Sequence, residues 1–159
     1  MVLVLLGTQN NSFVRLLEQV ENCINIGLIK EEVIVQAGYT NYHSNKMKIL
    51  DFVSSSQLKE LIDKADLIIT HGGVGSIITS IKSGKKVIAV ARLEKYKEHV
   101  NDHQLQIVKI FNDKDYIVGL EDACLLKTAL ENINSFVPKK YISNAQNILD
   151  IVSNYIDNN

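Results

Sequence analysis

Six short runs rich in Val, Ile and Leu, each followed by a stretch of other character, limit what this chain can fold into more than any other feature. They are VLVLLG, EEVIVQAG, KMKILDFV, ADLIIT, KKVIAVA and DYIVGL. Most are almost continuously apolar rather than alternating, which suits strands buried on both faces in a parallel sheet covered by helices. The segments between them supply those helices. SFVRLLEQVENC places Phe13, Leu16, Leu17 and Val20 on one face, and SSQLKELIDKA begins on a serine cap. A third helix opens in the glycine-rich segment after ADLIIT and runs to about Lys82. HVNDHQLQIVKIFNDK is helical from His99, and EDACLLKTALENIN forms another helix. Beyond Pro138, the only proline, YISNAQNILDIVSNYI predicts one more amphipathic helix. The expected fold is α/β: a single Rossmann-like, doubly wound parallel sheet in one domain over residues 1–159.

With 46% hydrophobic and 22% charged residues, the chain has the composition of an ordinary globular domain. Its formal net charge of −1 supplies no basic footprint for nucleic acid. Cys23 and Cys124 are far apart, lack metal-like spacing and sit among apolar residues, so both are expected to be buried free thiols. MVLVLLGT lacks a positive leader and is too short for a signal peptide or a membrane span. The expected location is cytoplasmic, with any membrane contact made through a partner or a surface helix.

In doubly wound sheets ligands bind beyond the carboxyl ends of the strands. GTQNN, AGYTNYHSN, FVSSS, THGGVGS and ARLEKYKEHVNDHQ therefore share one rim. In THGGVGS, Gly72, Gly73 and Gly75 stand between a strand and a helix, where each adds ordering cost and no core side chain. The unpaired amides of a helix's first turn attract an anion by roughly 0.3–1 kcal/mol through the dipole, and bare backbone lets a diphosphate approach. A tight turn is the plainer alternative. Two other phosphate loops are absent: Ile78 stands where a dinucleotide fingerprint needs its third glycine, and KSGKKV lacks the Ser/Thr and first glycine of a P-loop.

In EHVNDHQ, His99 and His103 are four apart, so on a helix they would share a face as metal ligands do. No third ligand is evident. Asn101, Asp102, His103 and Gln104 at a helix entrance also suit the paired donors and acceptors of sugar hydroxyls. A solvated helix start is the remaining reading.

THGGVGSI, the following GKKVIAVAR and EHVNDHQ together resemble the C-terminal, donor-binding half of family 28 glycosyltransferases of GT-B architecture. The pattern is nearest to short bacterial capsular and exopolysaccharide transferases. These are similar to the catalytic subunit of the two-part eukaryotic enzyme that adds the second N-acetylglucosamine to dolichol-linked sugar. VLVLLGTQNNSFVRLLEQV and VIVQAGYT fit in the same order, so the resemblance covers most of the chain.

What the resemblance implies is an inverting transfer of a sugar from a UDP-sugar to a lipid-linked acceptor in capsular or exopolysaccharide synthesis, with galactose as the associated donor sugar. Gly7 and Thr8 would lie near the diphosphate or acceptor, and Gly72, Gly73, Gly75 and Ser76 would hold the phosphates. Phe52 and Val53 would line the uracil site, while Asp102, His103 and Gln104, with Asn101 beside them, would meet the donor sugar. Thr79 stands where relatives commonly carry a ribose-binding glutamate, and its hydroxyl can make one such bond but not a charged bidentate one. His99 and His71 are the candidate general bases, a role the partner can equally supply. No metal cofactor is implied; backbone amides with Arg92 or Lys95 would offset the diphosphate charge.

A GT-B enzyme needs two Rossmann-like halves and this chain has one, so a membrane-anchored, acceptor-binding partner subunit is expected to hold it at the inner face of the membrane. Homo-oligomerisation in isolation is left open. The competing class is a non-catalytic, transferase-like subunit that enhances a partner enzyme. An epimerase on the same fold is disfavoured by the half-cleft.

Overall fold

The structure, a computed structural model, describes residues 1–143. The helix expected after Pro138 lies, from residue 144 on, outside the described residues. In chain order the elements are β1 (Val2–Leu5), α1 (Val14–Asn25), β2 (Val33–Gln36), β3 (Lys48–Leu50), α2 (Ser55–Lys64), β4 (Leu67–His71), α3 (Val74–Lys82), β5 (Lys86–Val90), α4 (His103–Asp113), β6 (Val118–Leu120) and α5 (Leu126–Asn132). All six strands pair in parallel, in the order β3-β2-β1-β4-β5-β6. The predicted α/β doubly wound sheet is the observed one.

Alternate side chains of each central strand point to opposite faces, so the sheet separates two cores. Val2 and Val4 of β1 join Val33, Val35, Ile69 and Ile88 against α1 and α5, which contribute Leu16, Leu17, Val20, Leu126 and Leu130. Leu3 and Leu5 join Ile34, Ile68, Val87 and Ala89 against α2, α3 and α4, which contribute Ile62, Ile77, Ile81, Val108 and Phe111. Burial on both faces is the reason these strands read as continuous apolar runs.

Several expected boundaries move. β3 ends at Leu50, so Phe52 and Val53 lie in the loop to α2 rather than at the strand end. α1 starts at Val14, two residues later than SFVRLLEQVENC suggests, with Phe13 at the cap position. α4 starts at His103, four residues later than expected, because His99–Asp102 form a loop stitched by their own side chains. The helix expected over EDACLLKTALENIN opens as a 3-10 turn, Ala123–Leu125, leading into α5. The cysteines divide: Cys23 is buried, but Cys124 is exposed, because it falls in that turn rather than on the buried face of a helix.

Candidate functional site

The strand order reverses between β1 and β4, since the chain winds away from β1 in one direction through β3 and from β4 in the other through β6. The loops that leave these two strands diverge onto opposite faces, and the sheet gapes between them. A cleft of about 440 Å³ lies at this point. Its wall takes Gly7, Thr8 and Gln9 from the loop after β1, Gln36 from the end of β2, Leu58 from α2, and His71, Gly73, Val74, Gly75, Ser76 and Thr79 from β4 and α3.

The three clustered glycines have two different jobs. A Cβ on Gly72 would lie 2.8 Å from Val108 Cγ2, so that glycine lets α4 pack against the turn. A Cβ on Gly73 would lie 2.4 Å from His71 Nε2, so the second glycine admits the imidazole. Neither has a positive φ, so neither is there to supply a left-handed backbone conformation. A Cβ on Gly75 would meet nothing within 4 Å. Only Gly75 faces open space.

The first turn of α3 is open to a ligand. Its first internal hydrogen bond runs from the Ile77 amide to the Gly73 carbonyl at 3.0 Å, and no side chain caps the turn. The amides of Val74, Gly75 and Ser76 precede that bond and have no carbonyl within the helix to reach. α2 differs: Ser54 and Gln57 close a capping box there. With the helix dipole behind them, three uncapped amides beside a cleft can attract an anion.

His71 lies buried between Gly7 and Gly73, the Gly7 Cβ position being 2.6 Å from its Cε1. Gly7 also has a φ of 77°, which a side chain rarely adopts. The Nδ1 of His71 is 3.3 Å from the Leu5 carbonyl oxygen. A carbonyl only accepts, so Nδ1 carries the proton and Nε2 keeps its lone pair. Burial, reinforced by the Arg92 charge, pushes the imidazole pKa down to about 4. His71 is therefore neutral at pH 7, a weak proton acceptor and a well-oriented hydrogen-bonding group.

That depressed pKa has a consequence for stability. Protonation is favoured in the unfolded chain, so stability is complete above pH 6.5 and is lost as pH falls towards 4. Between pH 7.5 and pH 5 the loss attributable to His71 is expected to be about 2 kcal/mol. Urea denaturation at the two pH values should show it in the native sequence and lack it in His71→Gln. Equal pH dependence in both proteins would refute the assignment.

Two arginines that the sequence does not single out for structure brace the rim. Arg92, 1% exposed, donates to the Leu6 carbonyl at 2.6 Å and the Asn11 carbonyl at 2.8 Å, with its guanidinium 5.3 Å from the Phe13 ring centroid. Burial lowers its pKa to about 10, partly offset by Glu98, so it remains charged at neutral pH. Its two terminal nitrogens shape the loop after β1 while its Nε is buried without a partner, and Arg92 does not line the cleft. Arg15 binds both oxygens of the buried Glu98 at 2.8 Å and Asp122 at 2.6 Å, under the ring of Tyr96 at 4.3 Å. Glu98 in turn accepts the Leu93 amide at 3.0 Å. Together these contacts close the loop that carries His99. Lys95 stands 63% exposed, 3.8 Å from Asp122.

The residues expected to meet the sugar lie around that loop and line none of the cleft wall. Asp102 Oδ1 accepts the Glu94 amide at 2.8 Å, and Asn101 Oδ1 accepts the His103 amide at 3.1 Å. His99 Nδ1 is 3.1 Å from Asn101 Oδ1. Gln104 is buried, and its Oε1 accepts both the Gly72 amide at 3.0 Å and the Arg92 amide at 3.1 Å. That oxygen ties the glycine turn to the end of β5. The shared helical face imagined for His99 and His103 does not form, because His99 precedes α4; among the described residues no three His, Cys, Asp or Glu side chains cluster as a metal site.

Phe52 and Val53 also stay off the cleft wall. Phe52 is half exposed and packs edge-on against Tyr39, 5.1 Å between centroids. Gln36 was not expected. Its side chain accepts the Gly7 amide at 3.2 Å and donates to the Gly7 carbonyl at 2.9 Å. A lone glutamine closing the apolar VIV run is the signal that could have exposed it.

Residues 1–154 match the glycosyltransferase family 28 C-terminal domain. The chain is similar to the UDP-N-acetylglucosamine transferase subunit ALG13 of Candida albicans, 31% identical over 51% of this chain and 26% of that protein. It is also similar to that of Candida glabrata, 29% identical over 58% of this chain and 43% of the relative. The match to the human protein of the same name is 35% identical but spans 38% of this chain and 5% of the relative. The matched part is thus less than half of these relatives' length. Among solved structures, the solution structure of ALG13 superposes with a TM-score of 0.62 over 94% of this chain and 93% of that one, at 19% identity. The kitacinnamycin glycotransferase superposes at 0.58 over 85% of this chain and 35% of its own, at 16% identity. At these identities the superpositions establish the fold, an α/β parallel sheet shared with glycosyltransferase domains of GT-B type.

Proposed function

The chain belongs to the glycosyltransferase family 28 C-terminal domain family, and on that premise we propose that it is the donor-binding, catalytic part of a two-part UDP-sugar transferase. The observation that carries the reading is the uncapped first turn of α3 opening into the cleft at the strand-order reversal. The diphosphate of the donor sits against the Val74, Gly75 and Ser76 amides, with Gly7 and Thr8 on the opposite wall. Thr79, exposed one turn further along α3, takes one ribose hydroxyl. The acceptor hydroxyl attacks the anomeric carbon from the side away from the diphosphate and inverts it. UDP departs into amides already aimed at the developing charge, an arrangement that takes no reorganisation at the moment of reaction.

His99 is the stronger general base in this chain, because it is only partly buried while His71 is held neutral as an orienting group. A partner subunit supplies the acceptor side, anchors the pair to the membrane, and carries the base if His99 is dispensable. The names of the curated relatives favour N-acetylglucosamine as the donor sugar, whereas the sequence resemblance to capsular and exopolysaccharide transferases favours galactose on a lipid-linked acceptor. No helix of the described residues is long and apolar enough to cross a membrane, which fits attachment through a partner.

A second reading has one observation in its favour. Thr79 offers no charge to the ribose, which suits a subunit that enhances a partner without binding donor tightly. A thermal-shift screen of the chain with UDP and UDP-sugars separates the two. The catalytic reading expects UDP, UDP-N-acetylglucosamine or UDP-galactose to raise Tm by several degrees, with transfer by the co-expressed pair unchanged by EDTA. No shift with any uridine nucleotide, together with transfer that survives in His99→Ala and Gly75→Asp, would hand the case to the non-catalytic reading.

A further inference from the structure

At the opposite end of α3 from the cleft lies a second recess, of about 420 Å³. A nine-residue helix is about 13 Å long, so the two openings occupy opposite rims of the sheet. Lys82, Lys85, Lys139 and Lys140 line this recess with Tyr116 and Tyr141, and no Asp or Glu is among its lining residues. Lys139 is paired with Asp115 at 2.8 Å, and Lys85 donates to the neutral Asp63 carbonyl at 2.9 Å. Lys82 and Lys140 therefore face the recess without a carboxylate partner among the described residues, and Lys85 feels only the Asp66 charge, which is ion-paired with the N-terminus.

The C-terminal carbonyls of α3 account for a lysine near Lys82. They do not account for Tyr141. Its ring meets Tyr116 edge-on, 5.4 Å between centroids, and its hydroxyl is buried with no hydrogen-bond partner. Buried hydroxyls are nearly always paired, and an orphan on a residue that lines a lysine-rich recess calls for an acceptor that carries negative charge.

We propose that this recess is an anion site that takes a phosphate group, held by Lys82, Lys85 and Lys140 and by the phenolic hydroxyl of Tyr141. The chemistry is shared by a soluble phosphate and by a phospholipid headgroup. It is separate from the donor cleft and does not depend on the proposed transfer reaction.

Titrating isotope-labelled full-length chain with inorganic phosphate, alongside co-sedimentation with phosphatidylglycerol or phosphatidylcholine vesicles, distinguishes the two sources. Movement of the Ser83, Gly84 and Lys140 amide signals on adding phosphate identifies a soluble ligand. Sedimentation with phosphatidylglycerol alone identifies a headgroup. In either arm, Lys82→Glu with Lys140→Glu should weaken binding about thirtyfold or more. Tyr141→Phe, which alters neither charge nor ring, should weaken it about tenfold. The proposal is overturned if neither ligand binds, if phosphate moves only the Gly75 and Ser76 signals, or if both variants bind as the native chain does.

Discussion

Replacing Gly75 by aspartate is expected to abolish UDP binding and leave the domain folded. A Cβ at this position meets nothing within 4 Å, and φ lies on the ordinary side, so the backbone accepts the side chain without strain. Aspartate in the first turn of a helix also interacts favourably with the dipole, by about 0.3–1 kcal/mol. The same carboxylate occupies the space where a phosphate would take the Gly75 and Ser76 amides. Losing two hydrogen bonds to a charged group removes about 3 kcal/mol or more, a hundredfold or greater loss of affinity. Calorimetry with UDP and a melting curve on the same sample test both halves. Native affinity in a folded Gly75→Asp would place the diphosphate elsewhere. The neighbouring glycine makes the contrast: Gly73→Ala puts a methyl group into the His71 ring.

Arg15→Ala is expected to be the most destabilising single change on the rim, at about 3–5 kcal/mol, because it strands the buried Glu98 carboxylate. For a chain of this length that is a fall of about 8–15 °C in Tm. The pair spans 83 residues of sequence and holds the loop carrying His99 against α1. Removing both partners should therefore cost less than the sum of the two single changes, by 1 kcal/mol or more, in a double-mutant cycle of Arg15→Ala and Glu98→Ala. Additive losses would mean the two side chains do not act as one unit. If Arg15→Ala also weakens UDP-sugar binding while leaving UDP binding intact, the loop reads the sugar.

What the sequence revealed and what it hid follow a physical division. The Val, Ile and Leu runs announced the sheet because both of its faces are buried. The spacing of Phe13, Leu16, Leu17 and Val20 likewise announced α1, and THGGVGS announced the turn from β4 into α3, although Gly72 and Gly73 make room for Val108 and His71 and only Gly75 is left open. Pairings between distant residues left no such trace. Nothing in the local pattern shows that Gln104 Oε1 is taken by the Gly72 and Arg92 amides, or that Arg92 is buried under carbonyls of a loop 81 and 86 positions away. Polar loops that stitch themselves also mislead. His99–Asp102 read as a helix because their side chains look like a solvated helical face, whereas they satisfy their own loop backbone. Cys124 read as buried because its apolar neighbours suggested a helix where a 3-10 turn exposes it.

The order β3-β2-β1-β4-β5-β6 divides the sheet into two consecutive stretches of chain joined by a single strand pairing, β1 with β4. The cleft straddles that seam, with Gly7, Thr8 and Gln36 on one bank and His71 through Thr79 on the other. Neither stretch owns a site. A growing chain that has emerged only as far as α2 has no place to hold a nucleotide, whatever its own degree of order. On the proposed reading, a nucleotide bound across the finished seam would act as a removable rivet, tightening by mass action the one join that the sheet leaves to a pair of strands.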